Sequence, residues 1–148
     1  MIAIGSDHGG FNLKDSVIEY LKNNNYEIKD FGTCDCCSVD YPDYGRIVAE
    51  AVVNKECEKG IVICGTGIGI SISANKVSGI RAALCTDTYM ARMSREHNDA
   101  NVLAMGARVI GEGLALDIVE TWLKTEFSGG RHEKRVDKIS EIEKKYSK

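Results

Sequence analysis

The run GIVIC at residues 60–64 limits the possible folds of this chain more than any other feature. It is short, β-branched and apolar on both alternating faces, the pattern of a strand covered on both sides in a parallel sheet. Four further short runs read as strands, at 2–5 (IAIG), 26–32 (YEIKDFG), 80–85 (IRAALC) and 101–106 (NVLAMG). Helical periodicity follows each one. Over 11–24 it sets Leu13, Val17, Ile18 and Leu21 on one face. After the single proline, Pro42, it runs over 44–56 and turns Ile47, Val48, Ala51 and Val52 inward. Further helices are predicted over 69–77, 88–97 and 113–127, the last seating the single tryptophan, Trp122. A charged tail from 133 reads as a final helix that must find a surface to lie on.

Five strand–helix units with short links predict one α/β domain over residues 1–148, a three-layer sandwich with a parallel sheet between helices. Ligands of such folds bind beyond the carboxyl ends of the strands. The residues that follow the strands are therefore the informative ones.

Composition narrows the partners. A net charge of −3 argues against a general polyanion binder, so no nucleic acid is expected. No segment approaches the roughly 18–20 consecutive apolar residues of a membrane span. Met1 leads straight into IAIGSDHGG without a basic, then apolar, leader, so the expected location is cytoplasmic. Six cysteines in such a chain do not suggest a disulfide framework. Cys34, Cys36 and Cys37, in CDCC, have thiolates suited to a soft metal, but a second ligand pair and a nearby histidine are missing. No metal or cofactor is expected, and CDCC reads as an exposed loop. Cys57 and Cys85 read as small buried residues.

Four constellations follow the strands. In GSDHGG, Asp7 and His8 stand beside Gly9 and Gly10, where a strand gives way to a helix. The plain reading is a helix cap and a surface histidine. In CGTGIG, Cys64 precedes Gly65, Thr66, Gly67, Ile68 and Gly69. A dinucleotide fingerprint fails here, because Ile70 and Ile72 stand where its third glycine belongs. Asp87, 22 residues beyond Gly65, mimics a ribose-binding acid and leaves a nucleotide site open. The loop offers backbone N–H groups at a helix N-terminus, which favour negative charge. A thiol placed there loses its proton more readily than a free one of about 8.5. Cys64 then reads as nucleophile, base or redox thiol, or as a core residue ending a strand. In SREHNDANV, His97 and Asn98 end a helix, plainly read as a dipole contact and a left-handed cap. In SGGRHEKRV, Arg131 and Arg135 share one helical face, suited to a phosphate or to a solvated basic surface.

Taken together, SDHGG, DYPDYG, ICGTGIGISI-ANK (with Ser73 in the gap), SREHNDANVLAMGAR and GGRHEKRV closely resemble the type B ribose-5-phosphate isomerases. That family also holds allose- and galactose-6-phosphate isomerases. The resemblance runs along essentially the whole chain, with CDCCSV its least supported part. It implies a five-stranded parallel sheet in the order 2-1-3-5-4, in a homodimer or dimer of dimers. It implies metal-independent aldose–ketose isomerisation of a small sugar phosphate, a step of the pentose phosphate pathway, with hexose phosphates as the alternative substrates. By the same resemblance Cys64 is the base, the loop Gly65–Gly69 with Thr66 holds the enediolate oxygens, and His97 opens the sugar ring. Asp7 and Asn98 bind hydroxyls; His8, Arg108, Arg131 and Arg135 contact substrate, mainly at its phosphate. Relatives with a glutamate base carry it where this chain has Ile70. An arm bearing Arg131 and Arg135 is expected to reach a neighbouring subunit, so that the active site is shared. The alternatives of another class are a non-catalytic nucleotide-binding module and a redox protein using CDCC and Cys64.

Overall fold

The structure is a computed structural model that describes residues 1–34 and 37–147. Five strands, β1 (Ile2–Ser6), β2 (Ile28–Asp30), β3 (Lys59–Cys64), β4 (Ala82–Leu84) and β5 (Val102–Gly106), form one sheet in the order β2-β1-β3-β5-β4. All neighbours are parallel. Six helices surround it among the described residues: α1 (Phe11–Asn23), α2 (Tyr41–Val53), α3 (Ile68–Asn75), α4 (Thr88–Glu96), α5 (Glu112–Lys124) and α6 (Arg131–Tyr146). The predicted strand order and layers are those observed.

The two faces of β3 explain its composition. Ile61 and Ile63 pack with Leu13, Val17, Leu103, Met105, Ile118 and Trp122 on the side of α1 and α5. Val62 and Cys64 pack with Val48, Val52, Ile70 and Ala74 on the side of α2 and α3. The pairings Ile4↔Ile61 and Ile61↔Leu103 hold the three central strands in register. The edge strands β2 and β4 pair over three residues each, less than the apolar runs predicted. Helix α2 starts at Tyr41, earlier than predicted, with Pro42 in its first turn. Proline is tolerated there because its missing N–H would have no helical acceptor. Ile47, predicted inward, is half-buried, and Ala49 is fully buried instead.

The chain crosses from one side of β1 to the other between β2 and β3. That places the topological switch at the carboxyl ends of β1 and β3, where open α/β sheets bind ligands. An ion pair between a buried lysine and an exposed aspartate secures this edge: Lys14 donates from Nζ to both carboxylate oxygens of Asp30 at 2.8 Å, and Asp30 accepts the Gly32 N–H at 2.9 Å. Cys57 and Cys85 are buried as predicted, and burial pushes the Cys85 thiol up to about 11. Cys34 and Cys37 are exposed, whereas Asp35 and Cys36 of CDCC lie outside the described residues. No described helix is long and apolar enough to cross a membrane.

Candidate active site

The loops after β1 and β3 touch. A Cβ on Gly9 would stand 3.3 Å from the Gly65 nitrogen. Asp7 is buried, and its Oδ1 accepts the Gly10 N–H at 3.1 Å, which fixes the turn before α1; the N-cap of that helix is Gly10 and not Asp7 as the plain reading had it. His8 Nδ1 accepts the Val39 N–H at 3.2 Å. A ring nitrogen that accepts carries no proton, which leaves Nε2 as the nitrogen that can donate.

Cys64 ends β3 and is buried, with its Sγ accepting the Gly67 N–H at 3.1 Å. Gly67 caps α3 with φ of 79°, a left-handed conformation that favours glycine. A Cβ there would also stand 2.5 Å from Leu84 Cδ1. The donors from Gly67 onward can be accounted for one by one. Thr66 Oγ1 accepts the Ile68 N–H at 3.2 Å, and the Ser71 N–H turns back to the Gly67 carbonyl at 3.2 Å. The first N–H groups of a helix lack helical acceptors, which leaves those of Gly69 and Ile70 for a ligand's oxygens. The Ile70 side chain is fully buried in the core beneath. The segment after β5 closes the loop: the Ala107 and Arg108 N–H groups donate to the Cys64 and Gly65 carbonyls at 2.9 Å. The Arg108 guanidinium lies against Gly65, with Nη1 at 3.2 Å from a Cβ built there. Tyr41, which sequence reasoning missed, covers Gly69; a Cβ there would stand 2.5 Å from its ring.

His97, Asn98, Arg131 and Arg135 are elsewhere. His97 ends α4, and α4 runs antiparallel to the strands. The turn that follows lies at their amino ends, where Arg81 Nε donates to the Asn98 carbonyl at 2.9 Å and the Gly60 N–H donates to the Asn101 carbonyl at 3.0 Å. The left-handed residue of this turn is Asp99, with φ of 47°, and not Asn98 as predicted. Arg95 fixes the turn, donating to Asp99 at 3.0 Å, to the Ala100 carbonyl at 2.6 Å and to the Thr125 carbonyl at 3.1 Å. Helix α6 begins here too, since His132 stacks on His97 with ring centroids 4.2 Å apart. Arg131 and Arg135, with Lys134 and Lys138, line a hollow of about 310 Å³ walled by cations alone. A larger concavity of about 800 Å³ lies at the same end, bordered by Arg81, Asp99 and Asn101, away from Cys64.

The predicted site residues thus fall into two groups. Asp7, His8, Cys64–Gly69 and Arg108 surround the carboxyl ends of the strands. His97, Asn98, Arg131 and Arg135 gather at the amino ends. The six residues of β3 alone separate the two ends by roughly 17 Å at about 3.3 Å per residue.

A doubly wound sheet with a thiol seated in an anion-favouring loop at its switch point defines a class: an α/β protein built to handle a small anionic ligand. Comparison with known proteins makes this specific. Residues 2–139 match the model of the Ribose/Galactose Isomerase family, and the chain belongs to that family. It is 50% identical over 144 residues to ribose-5-phosphate isomerase B of Escherichia coli, covering 97% of each chain. Its fold is similar to the structure of ribose-5-phosphate isomerase B of Clostridium thermocellum, with a TM-score of 0.98, 70% identity and 99% of each chain covered. It is also similar to ribose-5-phosphate isomerase B of Mycoplasma genitalium with bound ribulose-5-phosphate, with a TM-score of 0.92, 41% identity, 97% of this chain and 95% of that one covered.

Proposed function

We propose that this protein interconverts ribose 5-phosphate and ribulose 5-phosphate through an enediolate, in a homodimer whose active sites are each built from both subunits. The observation that carries the chemistry is the seat of Cys64, a buried thiol at the mouth of a loop with free helical N–H groups. The relatives named ribose-5-phosphate isomerase B, one with ribulose-5-phosphate bound, support the substrate.

The geometry supports the following roles. The Cys64 thiolate takes the proton from C2 of the linear aldose, and the electron pair moves onto the C1 oxygen. The Gly69 and Ile70 N–H groups meet the charge that develops, which is where preorganised donors act most strongly. The O2 hydroxyl passes its proton to O1, Cys64 returns the carbon proton to C1, and O2 becomes the ketone oxygen. Asp7 holds a hydroxyl beside the reacting carbons, and His8 and Arg108 hold the substrate from the same chain. His97 and Asn98 of a second copy open the ring and bind its hydroxyls, while that copy's Arg131 and Arg135 hold the phosphate. Binding remote from the reaction then places the carbons against the sulfur.

The test is ketose formation from ribose 5-phosphate and from allose 6-phosphate, with chelator present, for wild type and Cys64→Ala. Chelator-resistant turnover of the pentose is expected. Loss of the base in Cys64→Ala should lower kcat by about 10²–10⁴-fold with substrate binding retained. Near-normal kcat in the variant rejects Cys64 as base. Turnover of the hexose alone rejects the substrate.

A further inference from the structure

Among the described residues, His132 is a buried titratable group beside the predicted machinery that the proposed mechanism does not use. Its ring lies on that of His97 at 4.2 Å between centroids and 13° between planes, a near-parallel stack. The backbone on both sides is tied down. The His97 N–H donates to the Met93 carbonyl at 2.9 Å, and the Ser128 N–H donates to the Glu96 carbonyl at 3.1 Å. The His132 N–H donates to the Gly129 carbonyl at 3.0 Å.

The two rings stand at helix ends of opposite polarity. His97 caps the carboxyl end of α4, where carbonyl groups favour a cation. His132 is the second residue of α6, where N–H groups disfavour one. The charged groups acting on His132 are Arg131 and Arg135 on α6, opposed by Glu96 on α4. Burial, then His97 and the two arginines, hold His132 below the usual histidine range. Two stacked imidazoles resist a second proton strongly, and a neutral aromatic face stabilises a cation held over it.

We propose that His132 is a positioning residue for ring opening: a flat plate that fixes the ring plane of His97. This rests on the reading of His97 as the group that opens the sugar ring. It adds a residue to the site that acts only through another.

Ring opening is isolated from isomerisation in a Cys64→Ala background, where exchange between the α and β furanose anomers of ribose 5-phosphate is followed by NMR. Cys64→Ala protein should accelerate that exchange, and adding His97→Asn should abolish the acceleration. Failure of either rejects the role of His97 itself and the inference with it. Given that role, His132→Ala and His132→Gln in the same background should each slow the exchange about tenfold or more, because a loosened ring loses its alignment. His132→Phe, which stacks but never titrates, should stay within about threefold of the background protein, since a flat neutral ring suffices. An unaffected His132→Gln overturns the proposal, and so does a His132→Phe protein as slow as His132→Gln. If His132→Ala does not fold, the glutamine and phenylalanine variants decide alone.

Discussion

Two inactive proteins should make an active one. Cys64 ends β3 and His97 ends α4, so within one chain they stand at opposite ends of the sheet, separated by roughly 17 Å along β3. That is too far for both to reach one pentose. In a two-fold dimer each site would take Cys64 from one subunit and His97 from the other. Consider Cys64→Ala protein mixed with an equal amount of His97→Asn protein, dissociated and reassociated. About half of the dimers are then mixed, and in each mixed dimer both defects fall in the same site. The other site is wild type. The mixture should therefore reach about a quarter of wild-type turnover from ribose 5-phosphate, while each parent alone remains low.

The assay is ketose formation before and after subunit exchange, with reassociation followed by native mass spectrometry. If mixed dimers form and activity stays at the sum of the parents, both residues serve a site within one chain. The α4 turn would then have to swing to the far end of the sheet, against the Arg95 bonds that tie it to Thr125 and Ala100. Separation of the two groups would be irrelevant to catalysis, and the shared-site argument would fail.

Three further outcomes are expected. Arg135→Ala should raise KM for ribose 5-phosphate roughly thirtyfold, the equivalent of about 2 kcal/mol for a lost charge-assisted hydrogen bond, and leave KM for an unphosphorylated sugar unchanged; equal changes for both would remove the phosphate role. Asp30→Ala should lower stability in urea unfolding by on the order of 3 kcal/mol, because it strands the buried Lys14 ammonium; a loss under about 0.5 kcal/mol would mean that Lys14 reaches water. His132 binds its proton less readily folded than unfolded, where the value is about 6.5, so the folded chain holds fewer protons below that pH. Its contribution is complete above about pH 6.5 and is lost as pH falls through the depressed folded value, so acidification should lower Tm more in wild type than in His132→Phe; parallel curves would show that His132 is not the group responsible.

The central fold was legible because burial leaves little choice of residue. A strand such as β3, covered on both faces, can use only apolar side chains, and GIVIC shows them. The edges were harder. YEIKDFG and IRAALC are as apolar as many strands, yet only three residues of each pair, because one side of an edge strand has no neighbour to fix its length. Cys64, Asp7 and the glycine loop were legible because ligands bind where strands end. His132 was not: between Arg131 and Arg135 it reads as part of a basic solvated face, and its ring partner lies 35 residues earlier. Tyr41 was hidden because DYPDYG was read as the lead-in to a helix, not as its first turn. The exposed aromatic directly before Pro42 was the available signal. The split into two groups could have been read from topology alone. A helix that follows a parallel strand runs back, so a residue at the helix carboxyl end stands at the opposite pole from one at the strand carboxyl end.

That polarity gives a physical reason for a site made in halves. The carboxyl pole of a parallel sheet collects helix N-termini, here α3 with its free N–H groups behind Cys64, and it favours the enediolate anion. The amino pole collects helix C-termini, here α4 beneath His97, and it favours positive charge. The reaction as proposed would use both, an acid to open the sugar and a base to take its carbon proton. One chain of this fold keeps the two environments about a strand length apart, and bending it to join them would break the sheet that makes each. In the proposed dimer a two-fold axis would join the poles at no cost to either: the carboxyl pole of one chain would meet the amino pole of the next, and the same contact repeated would make the second site. On that reasoning the dimer is part of the catalyst. A monomeric variant should bind the loop-held end of a sugar phosphate weakly and fail to open its ring, while full activity in a demonstrated monomer would refute the argument.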